Sequence, residues 1–94
     1  TGHPVLWNPV NPKDYERFLE QSGQIVDAMG DRVKESINGL PDNERQVFLL
    51  RSLGELAYDE ISKILDIPIG SVMGYLARAR VKLREHLYNY FKKD

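Results

Sequence analysis

The stretch from 59 to 83 constrains the fold more than any other part of the chain, because two apolar patterns with helical spacing flank a tight turn. The first pattern predicts a short helix from about 58 to 65. In the turn at 66–70, Pro68 stops that helix, and Asp66 is a residue type that tolerates a left-handed conformation. The second pattern predicts one apolar stripe along a helix from 71 to about 91: Val72, Leu76, Ala79, Leu83, Leu87 and Tyr90.

A short helix, a turn of a few residues and a longer basic helix form the arrangement of a helix-turn-helix DNA reader. Ser71 has a side-chain oxygen and is predicted to cap the longer helix. From 70 to 94 the chain has six Lys and Arg against two acidic residues, a net charge of +4, and the rest carries −5. The overall charge of −1 therefore hides a basic C-terminal helix on an acidic body, which favours an anionic partner at that helix.

The residues before this stretch predict further helices and, with them, an all-α fold: a small helical bundle with a C-terminal helix-turn-helix. Asn11 and Pro12 can open a helix over 12–21, which we expect to end at Ser22-Gly23. A second helix is expected over 24–38, where apolar residues recur on one face. Residues 1–12 contain three prolines and no helical period, which predicts turns or extended chain.

The helix that opens at Leu40-Pro41 is expected to be the centre of the core. Acidic residues lie in its first turn, where the helix dipole favours them, and Gly54 can end it. Its apolar residues cover a wide arc: Val47, Phe48, Leu49, Leu50 and Leu53.

Composition excludes several classes of function. The chain has 94 residues, enough for one domain, and no cysteine, so disulfides and thiolate metal sites are excluded. His3 and His86 have no second ligand at metal-binding spacing, and no glycine-rich phosphate loop is present, so we expect no metal, no cofactor and no enzymatic activity. No apolar run reaches about 18 residues and no signal peptide is recognisable, so we expect no segment that spans a membrane and no membrane partner. The absence of cysteine fits a reducing interior, and we expect a cytoplasmic protein. Because the chain begins at Thr1 rather than at Met, we expect it to be a piece of a longer protein.

The first half of the last helix contains the candidate DNA contacts. Ser71 and the amides at the helix start can meet phosphate, and Arg78 can bind either guanine or phosphate. Met73 and Ala77, next to Gly74, can offer only apolar contact, for example to a thymine methyl group. The alternative is an ordinary amphipathic helix whose basic face is solvated.

Arg51 and Tyr58 flank the start of the short helix, where both can touch the phosphate backbone. For Tyr58 the alternative is a partly buried core residue. For Arg51 it is an ion pair with Glu55 or Asp59.

A linked series of short motifs resembles region 4 of the extracytoplasmic-function (ECF) sigma factors of bacterial RNA polymerase. The resemblance covers about 25–92 and rests on Leu40-Pro41, Glu44–Arg51, Leu56–Ile61, Ile67–Met73, Leu76–Arg80 and Leu83–Glu85. Residues 1–24 are similar in position and character to the linker between regions 2 and 4 of these factors. The expected organisation is therefore an interdomain linker over 1–24, containing the short helix, and a region 4-like domain over 25–94. Trp7 would pack on that domain or dock on a partner.

The resemblance implies that the domain recognises the −35 promoter element as part of a sigma factor that directs RNA polymerase to initiate transcription. It also implies docking on the flap of the polymerase β subunit, and an anti-sigma factor is a candidate partner because such proteins often mask the domain. The family's base and phosphate contacts carry over to seven positions of this sequence: Arg51, Tyr58, Ser71, Met73, Gly74, Ala77 and Arg78.

Two departures from the family pattern bear on this expectation. Ala57 stands where members often have Ser, which removes a helix cap. The positions from Met73 to Tyr75 are commonly more basic, so phosphate neutralisation should give only modest affinity. These 94 residues contain no counterpart of region 2, which melts promoter DNA in the family.

Two other hypotheses remain open at this point. A helix-turn-helix output domain of a response regulator or quorum-sensing regulator has a similar motif, although Leu40-Pro41 and Arg78-Ala79-Arg80 favour a sigma factor. A sigma-like module that binds only an anti-sigma factor or polymerase is compatible with the lack of basic residues at 73–75.

Overall fold

Residues 12–92 form five helices in the computed structural model, which describes the side chains from 13 to 87. They are α1 Pro12–Ala28, α2 Asp31–Asn38, α3 Asp42–Ser52, α4 Tyr58–Leu65 and α5 Ile69–Lys92. The described residues form no strand, so the predicted all-α bundle is confirmed. The proline-containing segment 1–11, with Trp7, and the side chain of Tyr90 lie outside the described part.

The core is built around α3, as predicted. Val47 and Leu50 on this helix are fully buried, and α5 packs chiefly against α3 and also against α2 and α4. The predicted apolar stripe of α5 is confirmed from its start to residue 83, because its first four members are buried: Val72, Leu76, Ala79 and Leu83. A helix that buries one stripe on three others leaves its opposite side exposed, and that side is the candidate surface.

The predicted break at Ser22-Gly23 is wrong, because α1 continues through it to Ala28. Phe18, Ser22 and Val26, spaced by four, are all buried and keep one face of the helix packed on the domain. This packing outweighs the preference of Gly against helix, which costs only about 1 kcal/mol.

The predicted continuous helix over 24–38 is also wrong. Gly30 has extended backbone angles, φ −61° and ψ 154°, and precedes the first residue of α2. The division of the chain near residue 24 stays a prediction, although α1 crosses that position without a break.

Tyr15 fixes α1 on the core helix. Its hydroxyl donates a hydrogen bond to Gln46 Oε1 over 3.1 Å, and burial raises its pKa above the ordinary tyrosine value. At the other end of the domain, the hydroxyl of Ser36 on α2 contacts His86 Nδ1 on α5. The outer helices are thus tied to α3 and α5 by polar contacts as well as by apolar packing.

The turn between α4 and α5 has the expected left-handed residue. Asp66 adopts φ 55° and ψ 52°, and the N–H of Ile67 donates to Ser62 O over 3.1 Å. The predicted cap at Ser71 is wrong, because α5 begins two residues earlier, at Ile69. Pro68 O accepts the N–H groups of Ser71 and Val72, so the chain is already helical before Ser71.

None of the helices in the described part of the chain is both long and apolar enough to cross a membrane.

Candidate nucleic-acid interface

A row of apolar residues runs along part of the exposed side of α5. Ile69, Met73 and Val81 are 47%, 52% and 41% exposed, and Ala77 between them is exposed as well. These four residues, spaced by four along the helix, form the outer ridge of α5. Met73 and Ala77 therefore lie on an accessible surface, as a DNA-contacting role requires, whereas Ser71 and Gly74 are only partly exposed.

Arg78 lies beside this ridge but is not a free, solvated cation. Its side chain is 57% exposed, its Nε lies 3.5 Å from Glu44 Oε2, and its guanidinium covers the ring of Tyr75 at 5.1 Å from the centroid. A Cβ added to Gly74 would lie 3.5 Å from Arg78 Nη1. The side chain thus runs back by one helical turn, as helical side chains do, and its positive charge lies next to Gly74.

Glu44 is a buried carboxylate that accepts hydrogen bonds from Lys82 and forms an ion pair with Arg78. Only 6% of its side chain is exposed, and Lys82 Nζ lies 2.8 Å and 3.1 Å from its two oxygens. Near the same end of α3, Asn43 Nδ2 donates to the hydroxyl of Tyr75 over 3.3 Å. The three α5 residues of these contacts form the α3 flank of the helix: Tyr75, Arg78 and Lys82.

Sequence reasoning did not find Glu44 as a member of this site. Glu44 precedes Lys82 by 38 residues, and within its own helix it is one of two acids in the first turn. That local position is explained by the helix dipole alone. Its contacts with Arg78 and Lys82 form only when α3 packs on α5.

Arg51 and Tyr58 contact each other at the start of α4. The guanidinium of Arg51 lies 5.4 Å from the centroid of the Tyr58 ring, and its Nη1 donates to Leu56 O over 2.9 Å. This carbonyl, rather than Glu55 or Asp59, is the acceptor that holds Arg51. Both residues are half-buried, and Tyr58 packs on the core, as its alternative reading expected, while keeping an accessible edge.

The start of α4 confirms the expected loss of a cap at Ala57. No side chain caps this helix, but Glu60 accepts the N–H of Ala57 over 2.8 Å. One of the two reciprocal bonds of a capping box is therefore retained without a hydroxyl at the first position.

A second surface feature is an apolar cleft of about 180 Å³ between α2, α3 and α5. Its lining includes Val33, Ile37, Phe48, Leu53, Leu83 and Leu87. Clefts lined by apolar side chains are typical docking sites for an apolar side chain of another protein.

A short helix, a left-handed turn and a longer helix with an accessible outer ridge define a helix-turn-helix protein. The chain belongs to the family described as sigma-70, region 4, whose model matches residues 30–83. This match covers α2 to the middle of α5 and therefore every one of the seven predicted site residues.

Three curated proteins illustrate the similarity. The ECF RNA polymerase sigma factor SigW of Bacillus subtilis is 37% identical over 83 residues, which make up 88% of this chain and 40% of that protein. The positive control factor of the same organism is 29% identical over 79 residues, 79% of this chain and 47% of its own length. The ECF RNA polymerase sigma-E factor of Escherichia coli K12 is 42% identical over 48 residues, 51% of this chain and 25% of its own length. The chain thus spans less than half the length of these relatives. No solved structure matches it.

Proposed function

We propose that this chain is the region 4 domain of an ECF-type sigma factor and recognises the −35 promoter element for RNA polymerase. The observation that carries the proposal is the accessible surface of α5, where an apolar ridge lies beside an oriented arginine in a domain of the sigma-70 region 4 family. The proposal assigns no enzymatic activity. It includes a cytoplasmic location, because promoter DNA and polymerase are there.

In this proposal the predicted residues have separate roles. Arg78 donates to a guanine edge or a phosphate, and Met73 and Ala77 contact thymine methyl groups in the major groove. Gly74 leaves room for the guanidinium of Arg78 beside it, and the hydroxyl of Ser71 and the amides that precede it in the first turn meet phosphate.

Arg51 and Tyr58 are proposed as a second phosphate contact at the start of α4. Arg51 already donates one bond to Leu56 O, so its remaining donors and the hydroxyl of Tyr58 are the groups offered to DNA. Their mutual stacking restricts both side chains, which lowers the entropy lost on binding.

The apolar cleft is proposed as the docking site for the flap of the polymerase β subunit. Its lining by α2, α3 and α5 leaves the outer ridge of α5 free for DNA. An anti-sigma factor is proposed as a competing partner, which would cover either surface.

The proposal is tested by selecting duplexes that bind this chain from a randomised pool and then titrating a selected duplex at low and at moderate salt. We expect weak binding that salt reduces, because Lys and Arg release counterions from phosphate. Binding of a β-flap fragment is measured in parallel by titration calorimetry.

The outer ridge gives the non-DNA alternative its support, since an apolar surface also suits a protein partner. If no duplex binds at low salt while the β-flap fragment or an anti-sigma factor still binds, the chain is a protein-binding module and the −35 role is wrong.

A further inference from the structure

Glu44 stands out because its carboxylate is buried beside the candidate DNA surface and contacts two cations of the helix that forms it. Its two oxygens lie 2.8 Å and 3.1 Å from Lys82 Nζ, and Oε2 lies 3.5 Å from Arg78 Nε. At 6% side-chain exposure Glu44 has given up most of its hydration, whereas Arg78 and Lys82 keep about half of theirs.

A carboxylate in this position can act on DNA binding in two opposite ways. It can neutralise two cations that would otherwise bind phosphate, in which case its removal strengthens binding. It can instead fix the direction of a side chain, in which case its removal weakens binding even though the protein becomes more positive.

The geometry at Arg78 favours the second effect. The ion pair uses Nε, the inner nitrogen of the guanidinium, and leaves the donors of Nη1 and Nη2, which lie beside Gly74, for a ligand. The plane lies over the Tyr75 ring, and Asn43 in turn donates to the hydroxyl of Tyr75. Two residues of α3 therefore fix the orientation of Arg78 on α5: Glu44 directly, and Asn43 through Tyr75.

We propose that Glu44 is a positioning residue for DNA recognition, which directs the guanidinium of Arg78 toward a bidentate acceptor on the duplex. The acceptor is either a guanine O6/N7 edge or a pair of phosphate oxygens, since both accept two parallel N–H bonds. This inference rests on the proposed function, because it concerns how the same helix binds promoter DNA.

The test compares Glu44→Gln with the parent chain on the selected duplex. Gln has nearly the same shape but no charge, so we expect affinity to fall about tenfold, the value of one well-placed bidentate contact. The matched control is Glu85→Gln, which removes an exposed carboxylate next to Arg78 and Lys82 on the same helix. Its affinity should stay equal or rise, because it adds the same charge without changing an arginine contact.

A double-mutant cycle separates positioning from loss of fold. In an Arg78→Ala background, Glu44→Gln should no longer weaken binding, since there is no guanidinium left to direct. Tyr75→Leu removes the ring under the guanidinium, and it should likewise weaken duplex binding only when Arg78 is present. This variant replaces Glu44→Gln in the cycle if Glu44→Gln unfolds. Circular dichroism at the titration temperature identifies variants that have lost helix.

The acceptor is identified by modified duplexes. Substituting 7-deazaguanine removes N7, and methylphosphonate removes a phosphate charge. The acceptor is the group whose modification makes duplex affinity insensitive to Arg78→Ala.

Stronger or unchanged binding of Glu44→Gln overturns the proposal, and so does an equal loss in the Arg78→Ala background. If the parent chain itself binds no duplex, the proposed function fails instead, so the two failures are distinguishable.

Discussion

The outer ridge and the α3 flank of α5 differ in what surrounds them, although they lie on the same helix. The ridge residues Ile69, Met73 and Val81 are 41–52% exposed and apolar, and none of them belongs to the packed core. On the α3 flank, Arg78 and Lys82 are similarly exposed, yet a buried carboxylate holds both. Accessibility alone therefore does not distinguish a recognition surface; the neighbouring helix decides which side chains have a fixed direction.

The difference suggests that the two surfaces contribute different kinds of contact to DNA binding. A ridge of methyl and thioether groups can only discriminate bases through apolar contact, which is insensitive to salt. The flank can form charge-assisted hydrogen bonds, which require a defined direction and depend on salt.

Arg78→Ala on the α3 flank should have the largest effect. We expect a loss of about 1–3 kcal/mol in binding free energy, because a bidentate contact to DNA is removed. Fluorescence anisotropy with the selected duplex measures it, and Arg80→Ala on the same helix is the control, since Arg80 is exposed but lies outside the α3 flank. An equal loss in both variants would show that Arg78 acts only as one of several surface charges.

Removal of thymine methyl groups should test the outer ridge. Replacing a contacted thymine by uracil should cost about 0.8 kcal/mol, the value of one buried methyl-sized group. In Met73→Ala or Ala77→Gly the same replacement should have a smaller effect, if that side chain makes the contact. Equal affinity for thymine and uracil at every position would contradict a role of the ridge in base recognition.

The salt dependence of binding should separate the two surfaces. The slope of log affinity against log salt is expected to become shallower by about 0.9 in Arg78→Ala if Arg78 neutralises one phosphate, and to stay unchanged in Met73→Ala. Met73→Lys should make it steeper by a similar amount, because it returns a basic residue to the ridge. A slope that changes in Met73→Ala would show that the ridge does not act by apolar contact alone.

Asn43→Ala should have the smallest effect. Its hydrogen bond to Tyr75 is exposed and 3.3 Å long, so we expect less than about 0.5 kcal/mol in the free energy of unfolding. Chemical denaturation measures this change, and the duplex affinity should fall by less than in Tyr75→Leu. A large loss of DNA affinity would mean that the hydroxyl of Tyr75, and not its ring, orients Arg78.

Much of the fold could be predicted from local pattern. The stripe from Val72 to Leu83 and the wide apolar arc around Val47 are properties of residue spacing, and burial of these faces follows directly from them. Helix ends were predicted less well. The sequence predicts Ser71 as a helix cap, but the carbonyl of Pro68 already accepts the first N–H groups of α5. It predicts Gly23 as a helix end, but α1 continues past Gly23 because Val26 packs in the core.

The candidate site could be predicted only in part, for a related reason. Met73 and Ala77 of the outer ridge are predicted from the sequence, because they lie between the buried stripe residues of one helix, whereas Ile69 and Val81 are added only by their exposure in the structure. The orientation of Arg78 is not visible, since its partners Glu44 and Tyr75 belong to two helices and only one of them is close in sequence.

The sequence by itself determined that this chain forms a helix-turn-helix, because helical periodicity and the left-handed turn at Asp66 are local properties of the residues. The tertiary structure alone decided which cations of α5 have a fixed direction. That choice depends on a carboxylate 38 residues before Lys82, which reaches α5 only when α3 packs against it. Charges interact through space, so the spacing of residues along the chain does not show which charged side chains will contact each other.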